Sequence, residues 1–316
     1  MIAVNQITKK YGQNTALKEV SFTIDKGQVV GLLGLNGAGK STTMNIMTGC
    51  LSADSGSVLI DGIDMAQNPK EAKCKIGYLP EIPPLYTDMK VSEYLEFVYE
   101  LKLLKLPRQE HILECATMVG LEAMLPRLIG NLSKGYKQRV GFAAALIGNP
   151  EVLILDEPTV GLDPSQMIEI RSLIANLGQT KTVILSSHIL SEVQAVCERI
   201  IIVNKGRVIA DDTSKQLEQE MTKNVEYAIS VWGEKAKALD CLQMIEGISK
   251  VTSICTEGHE HVFSIHGAGT LKVRKEISRS LAKADLLITA MLPVEVSLEN
   301  VFLNLVYEAE EEDKCK

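Results

Sequence analysis

The chain has 316 residues, 46% hydrophobic and 23% charged, which is ordinary for a soluble globular protein and long enough for two domains. Acidic residues outnumber basic ones by 40 to 33, so the net charge of −7 argues against nucleic acid as the main partner. No apolar run approaches the roughly 20 residues that span a bilayer, and the N-terminus lacks the apolar core of a signal peptide. We therefore expect a cytoplasmic protein. The seven cysteines form no C-x-x-C pair, so the sequence indicates neither a zinc site nor a disulfide framework.

The first elements in the chain are predicted to be antiparallel strands. Apolar and polar residues alternate in IAVNQITKKYG and LKEVSFTID, which break at Gly12 and Gly27. Residues 28–33 (QVVGLL) then predict a short buried strand, and residues 42–48 predict the first turns of a helix. Two methionines in this helix have the spacing of a buried face, which favours core positions for Met44 and Met47.

The loop between this strand and this helix, GLNGAGKST at 34–42, fits the phosphate-binding pattern G-x-x-x-x-G-K-[ST]. Glycines let the backbone wrap closely, so successive N–H groups point at phosphate oxygens. Lys40 is expected to reach the β- and γ-phosphates, and the Ser41 hydroxyl to ligate Mg²⁺. The alternative, a chance glycine-rich turn, leaves the preceding strand and the following helix unexplained.

Further along, residues 56–64 predict a hairpin-type strand ending at Gly62, and residues 76–80 predict another short strand before a proline-rich turn. Residues 91–147 change character, because apolar residues recur there at helical spacing. This part of the chain is predicted to be a mostly helical insert.

Short, continuously apolar strands return at 152–155, 182–185 and 200–203, separated by helical segments, which is typical of a parallel sheet covered on both faces. The first of them continues as VLILDE and places two carboxylates at the strand's carboxyl end, where open α/β sheets bind their ligands. Asp156 is suited to hold Mg²⁺, and Glu157 to polarise an attacking water molecule.

A second pattern follows a polar, helical linker at 214–224. Strand, helix, two strands, helix and strand succeed one another, and the order β-α-β-β-α-β predicts a ferredoxin-like domain. A last amphipathic helix, SLENVFLNLVY, precedes an acidic tail that we expect to be solvated.

Residues 132–139 read LSKGYKQR, and here the chain resembles the nucleotide-binding domains of ABC transporters. The family signature is Leu-Ser-Gly-Gly-Gln, usually followed by Gln-Arg. The matching residues are Leu132, Ser133, Gly135, Gln138 and Arg139. Lys134 and Tyr136 depart from the signature in the manner of the subfamily paired with type-2 exporter permeases. Ser133 precedes a helix, so its hydroxyl and the following N–H groups are expected to form a second anion site.

Other landmarks of the family occur in order, and the resemblance covers about residues 1–220. Tyr11 lies where an aromatic ring stacks on adenine, and residues 161–163 resemble the D-loop. Glu81 lies where the family usually has the glutamine of the Q-loop; it cannot donate hydrogen bonds as glutamine does, and it adds negative charge near the triphosphate. His188 resembles the switch histidine and is expected to contact the γ-phosphate directly or through Glu157.

The resemblance implies an α/β fold with a P-loop NTPase (RecA-like) core, an antiparallel β subdomain and a helical subdomain, followed by the small α+β ferredoxin-like domain. The predicted domains are 1–220, with a helical insert at about 86–148, then 225–308 and an acidic tail at 309–316. The catalytic residues are predicted to be Lys40, Glu157 and His188, and the metal ligands Ser41 and Asp156. The residues predicted to bind ATP are Tyr11, Gly34, Leu35, Asn36, Gly37, Ala38, Gly39, Lys40, Ser41, Thr42, Glu81, Ser133, Gly135 and Asp163.

The resemblance also implies a dimer, a homodimer or a heterodimer with a second nucleotide-binding subunit, in which ATP and Mg²⁺ lie between the phosphate loop of one subunit and the LSKGY segment of the other. The dimer is expected to drive a separate membrane permease, in the direction of export, from the inner face of the cell membrane. Two alternatives stay open: a soluble ABC-type ATPase that is not coupled to transport, and a regulatory protein with nucleotide as a structural ligand. The intact Asp156–Glu157 pair and His188 argue against the second alternative.

Overall fold

The computed structural model describes residues 1–213, 216, 226–267 and 270–293. The chain divides into two compact units, Met1–Ser214 and Lys215–Lys316. The predicted linker, apart from Gln216, and the predicted final helix and acidic tail lie outside the described residues. The predicted domain boundary between 220 and 225 lies there too, and it stays a prediction.

The first unit opens with an antiparallel sheet, as the alternating pattern predicts. Its strands have the order β2-β1-β4-β5 among the described residues. Their bounds are β1 (Ile2–Tyr11), β2 (Asn14–Ile24), β4 (Ser55–Ile60) and β5 (Ile63–Asp64). Ile2, Val4 and Ile7 of β1 are buried in one core. Ile2 and Val4 share a face because side chains alternate across a strand, and an irregularity in the pairing between Val4 and Ile7 brings Ile7 into the same core.

A second sheet forms the centre of this unit, with the order β10-β9-β3-β8-β7-β6 in the described part of the chain. Its strands are β3 (Val29–Leu33), β6 (Ile76–Leu79), β7 (Val152–Leu155), β8 (Thr182–Ser187), β9 (Arg199–Asn204) and β10 (Arg207–Thr213). The pairs from β9 to β6 are parallel, which confirms the predicted parallel sheet, and β10 adds an antiparallel edge strand.

Helices cover this sheet and join it to the first one. They are α1 (Lys40–Met47), α2 (Pro69–Cys74), α6 (Pro164–Gly178) and α7 (Leu190–Gln194). Helix α1 begins at Lys40, two residues before the predicted start. Met44 and Met47 are fully buried in a core shared with both sheets, so the prediction of core positions is confirmed.

Helices also fill the region between β6 and β7, as the change in pattern predicts. The α-helices are α3 (Val91–Leu101), α4 (Arg108–Met118) and α5 (Lys134–Leu146), with short 3-10 helices at Glu122–Met124 and Ile129–Asn131. No helix in the described ranges is both long and apolar enough to cross a membrane.

The second unit has the predicted ferredoxin-like topology. Its elements are β11 (Glu226–Trp232), α8 (Lys235–Gln243), β12 (Lys250–Glu257), β13 (Glu260–His266), α9 (Leu271–Lys283) and β14 (Leu287–Pro293). The strand order β12-β13-β11-β14 is antiparallel throughout. Both helices pack on one face of this sheet, where Ile229 and Phe263 meet Leu242 and Leu281.

Candidate nucleotide-binding site

The phosphate loop connects the buried strand β3 to helix α1. Gly39 adopts φ +109°, and a Cβ there would lie 2.7 Å from Leu17 Cδ2, so this position requires glycine. A Cβ on Gly34 would lie 2.4 Å from the Val203 carbonyl oxygen. No side chain caps α1, and its first turn has no acidic residue. The end of the helix therefore presents N–H groups and the positive end of its dipole to an anion.

All three predicted catalytic side chains meet beside this loop. Lys40 Nζ donates a 2.8 Å hydrogen bond to the Gly34 carbonyl oxygen and lies 3.5 Å from Glu157 Oε1. The other oxygen of this carboxylate, Oε2, lies 3.0 Å from His188 Nδ1. Lys40 and Glu157 are buried, while His188 is partly exposed. The ammonium group, the carboxylate and the imidazole thus form one continuous contact chain.

Glu157 is held in an unusual backbone conformation. Its φ of +46° lies in the left-handed region, which costs a non-glycine residue about 1 kcal/mol or more. Its N–H group donates a 2.9 Å hydrogen bond to Ser186 Oγ, and the same hydroxyl donates a 2.6 Å bond to Asp156 Oδ1. Ser186 therefore fixes both carboxylate residues at the end of β7.

The predicted metal ligands also lie together. Ser41 Oγ is 3.4 Å from Asp156 Oδ1. Their hydroxyl and carboxylate oxygens are hard ligands of the kind that Mg²⁺ prefers. The donor set of this chain therefore fits the predicted metal.

A cavity of about 360 Å³ opens over the phosphate loop. It is lined by Ala16, Asn36, Gly37, Gly39, Lys40, Ser41, Thr42, Glu81, Glu157, Val160 and His188. Glu81 enters this lining from the segment that follows β6. Tyr11, by contrast, ends β1 with about half of its surface exposed and does not line the cavity; Ala16 of β2 does. The stacking role of Tyr11 stays a prediction.

The signature segment lies elsewhere in the first unit and does not line this cavity. Ser133 is the N-cap of α5 and accepts a 3.4 Å hydrogen bond from the Tyr136 N–H group. A Cβ on Gly135 would lie 2.6 Å from the Gln166 amide group, and Gln138 Nε2 donates to the Pro158 carbonyl oxygen at 3.2 Å. The start of α5 therefore packs against the segment that follows Glu157.

Asp163 caps the next helix, α6. Its carboxylate accepts a 2.9 Å hydrogen bond from the Gln166 N–H group and a 2.7 Å bond from the Ser165 hydroxyl. These donors, with the N–H group first, lower the pKa of Asp163 below its usual value. The Asp163 carboxylate is therefore already hydrogen-bonded within its own chain, as the cap of α6. Its predicted contact with nucleotide stays a prediction.

Sequence reasoning assigned no role to several polar residues that organise the site. They are Thr159, Ser186, Ser187 and Glu192, and all four are buried. A signal was present for the two serines, because hydroxyl residues at the end of a continuously apolar strand require partners once the strand is buried.

The comparisons with known proteins agree with this geometry. The family model for the ABC transporter matches residues 17–160. The bacitracin transport ATP-binding protein BcrA of Bacillus licheniformis is 30% identical over 314 residues, covering 97% of each chain. The linearmycin resistance ATP-binding protein LnrL of Bacillus subtilis is 33% identical over 310 residues, covering 96% of this chain and 98% of that protein.

A solved structure supports the same assignment. The ATP-binding cassette MJ0796, in a dimeric post-hydrolysis state bound to ADP and Pi, has a TM-score of 0.62 and 30% identity, covering 67% of this chain and 98% of that one. ABC cassettes work as dimers with membrane permease components. The chain therefore belongs to the ABC transporter family, as one of its ATP-binding and ATP-hydrolysing subunits.

Proposed function

We propose that this chain pairs with a second copy of itself, or with another ATP-binding subunit, and closes on ATP to drive a membrane permease. The observation that carries the proposal is the separation of the anion sites within one chain. Lys40, Glu157 and His188 line one cavity, whereas Ser133 and Gly135 do not line it. Each complete site then consists of the cavity of one subunit and the signature segment of the other.

The residues of the cavity have distinct roles in this proposal. Lys40 binds the β- and γ-phosphates, Glu157 accepts a proton from the attacking water molecule, and His188 holds the carboxylate of Glu157 in position. Tyr11 stacks on adenine. Positioning and electrostatic stabilisation supply most of the rate, because phosphoryl transfer requires little covalent chemistry from the protein.

Mg²⁺ is the proposed cofactor. Ser41 and Asp156 would hold it, and Glu81 follows the carboxyl end of β6, beside the carboxyl end of the parallel strand β7 that carries Asp156. When bound, the ion neutralises charge on the phosphates. The hydroxyl and carboxylate oxygens 3.4 Å apart support this assignment.

The permease contact is proposed for the segment 82–92, which follows Glu81 and leads into α3. Ile82 and Tyr86 are exposed there, although both are large and apolar. Such a contact brings the subunit to the inner face of the membrane. The relatives BcrA and LnrL, named for bacitracin transport and linearmycin resistance, favour export of an antibiotic, with the cargo selected by the permease.

The test is Glu157→Gln, which keeps the shape of the side chain and removes the base. We expect ATP affinity near that of the wild type, turnover reduced by about a hundredfold or more, and a dimer that persists in ATP. Turnover is measured by phosphate release, and the dimer by size-exclusion chromatography with light scattering. Turnover near wild type would remove Glu157 from the catalytic role.

Lys40→Met is the matched comparison, because it keeps the buried stem but loses the charge that binds phosphate. We expect this variant to lose ATP affinity, so the two substitutions separate binding from hydrolysis. Co-purification distinguishes the soluble alternative: a membrane partner supports the transporter, and ribosomes or DNA support a soluble ATPase.

A further inference from the structure

A buried carboxylate outside the nucleotide cavity connects two segments of the site. Glu192 lies in α7 and is only 4% exposed. Its Oε2 accepts a 2.6 Å hydrogen bond from the Thr159 hydroxyl and a 3.1 Å bond from the Ser187 hydroxyl. Its Oε1 lies 3.9 Å from Arg171 Nη2 of α6. One side chain is therefore held by three separate elements.

The two hydroxyl donors are neighbours of the proposed catalytic residues. Thr159 comes two residues after Glu157, and Ser187 comes directly before His188. Ser187 Oγ also accepts a 3.0 Å hydrogen bond from the Ile189 N–H group, so it fixes the backbone on both sides of His188. Glu192 thereby connects the loop that carries Glu157 to the loop that carries His188.

A carboxylate is costly to bury unless its oxygens are paired, so the three partners of Glu192 are required as a set. Attachment of α7 does not depend on this carboxylate alone. The neighbouring Val193 is fully buried, and its Cγ1 lies within 2.0 Å of the position that a Cβ on Gly31 of β3 would occupy. The close packing of α7 on β3 therefore gives the helix a second anchor.

We propose that Glu192 is a positioning residue for hydrolysis: through Thr159 and Ser187 it sets the approach of His188 to Glu157. Ser186 fixes the backbone of Glu157 from the other side, by accepting its N–H group. A shift of either loop lengthens the 3.0 Å contact between His188 Nδ1 and Glu157 Oε2. The inference rests on the proposed roles of these two residues. Loss of the Glu192 carboxylate is expected to lower turnover and to leave ATP binding unchanged, because Glu192 does not line the cavity.

The test compares substitutions that remove or keep the hydrogen bonds. Glu192→Leu leaves two buried hydroxyls without their acceptor, and we expect kcat to fall by about tenfold to a hundredfold with the ATP Kd within twofold of wild type. Glu192→Gln keeps an acceptor oxygen and is expected to restore most of kcat. Glu198→Gln, at an exposed carboxylate shortly after α7, is the matched control and leaves kcat unchanged.

A second pair of variants keeps the test valid if Glu192→Leu fails to fold. Thr159→Val removes the hydroxyl at nearly constant shape, and Thr159→Ser keeps it. We expect the valine variant to lose kcat, the serine variant to retain it, and the double variant Thr159→Val/Glu192→Leu to lose no more than Glu192→Leu alone. Additive losses, or equal losses of kcat and ATP affinity, would overturn the inference.

Failure of the inference is distinguishable from failure of the proposed function. If Glu157→Gln blocks turnover while Glu192→Leu and Thr159→Val leave kcat unchanged, the catalytic role of Glu157 stands and the positioning role of Glu192 is wrong. If Glu157→Gln turns over normally, the proposed function fails whatever the Glu192 variants do.

Discussion

At the scale of single residues, Glu81 gives the nucleotide cavity a negative charge where a glutamine is usual in the family. It lines the cavity together with Glu157, while Lys40 is the one buried cation in the lining. Asp156 lies close behind, in contact with Ser41. A triphosphate that enters without a cation therefore meets two carboxylates in the lining, so we expect binding to depend strongly on the metal.

Glu81→Gln is predicted to raise the affinity for ATP in EDTA by about fivefold, or roughly 1 kcal/mol, because it removes one partly solvated charge repulsion. With saturating Mg²⁺ the difference should shrink, since the ion neutralises the same region. Titration of a fluorescent ATP analogue with and without Mg²⁺ measures both affinities. Glu110→Gln, in α4, controls for the change in net charge. Equal effects with and without metal would contradict the prediction.

The phosphate-loop and β7 residues were predictable because local pattern fixes their positions: the loop motif places Lys40 at the start of α1, and the two carboxylates lie directly after the buried strand β7. Lys40, Asp156 and Glu157 are of this kind, and the structure brings them together. Thr159 and Glu192 were not predictable in the same way. They are 33 residues apart in the chain and meet only because the segments after β7 and β8 fold side by side.

At the scale of secondary structure, polar residues extend an element beyond its apolar pattern when they find partners. The apolar run predicts a strand that ends at Leu185, but β8 continues through Ser187 because β3 pairs with it to the end. Both serines are buried and hydrogen-bonded. Strand β10 (RVIADDT) lacks a strong strand pattern; it forms as an edge strand, and Asp211 pairs with Arg199 of β9.

A half-buried amine at the end of α3 makes the stability of the helical region depend on pH. Lys102 donates a hydrogen bond to the Ile147 carbonyl oxygen, just after α5. Burial lowers the pKa of Lys102 from 10.5 to about 8. Between these values the unfolded chain binds more protons than the folded chain, so stability rises with pH through this window. Below about pH 8 the amine is charged in the folded chain, and the full free-energy cost of burying that charge lowers the stability.

We predict that the free energy of unfolding of the wild type, relative to Lys102→Met, increases by about 1 to 2 kcal/mol from pH 8 to pH 10.5. The figure is below the full linkage value because solvent partly screens the amine. Urea denaturation of both proteins at several pH values provides the measurement. Lys105→Met, at an exposed lysine nearby, controls for the loss of one charge. A difference in the free energy of unfolding that does not change with pH would show that the pKa of Lys102 is the same in the folded and unfolded chains.

At the scale of the whole molecule, the proposed ATP site consists of two half-sites that lie apart in one chain. The cavity over the phosphate loop and the N-terminus of α5 each offer N–H groups to an anion, at separate places in the first unit. The dimer proposed to complete them could be predicted only from the family resemblance, because no pattern within one chain encodes which surface a second subunit covers. The isolated chain should therefore show a specific ATPase activity that rises with protein concentration.

Mixing two inactive variants tests this arrangement directly. Lys40→Met removes phosphate binding from the cavity. Ser133→Asp places a negative charge beside the partner's phosphate, yet aspartate still caps α5, so the helix should remain folded. Each variant alone forms only incomplete sites. A mixed dimer, however, contains one complete site, built from the cavity of the Ser133→Asp subunit and the signature segment of the Lys40→Met subunit. At equal concentrations half of the dimers are mixed and each has one of two sites, so activity should return to about a quarter of wild type. Phosphate release from the mixture, compared with each variant at the same total concentration, measures the effect.

A mixture of Lys40→Met with Glu157→Gln is the negative control, because both substitutions lie in the same half-site and no complete site can form. Activity in the first mixture no higher than in this control would show that the two half-sites do not combine across subunits.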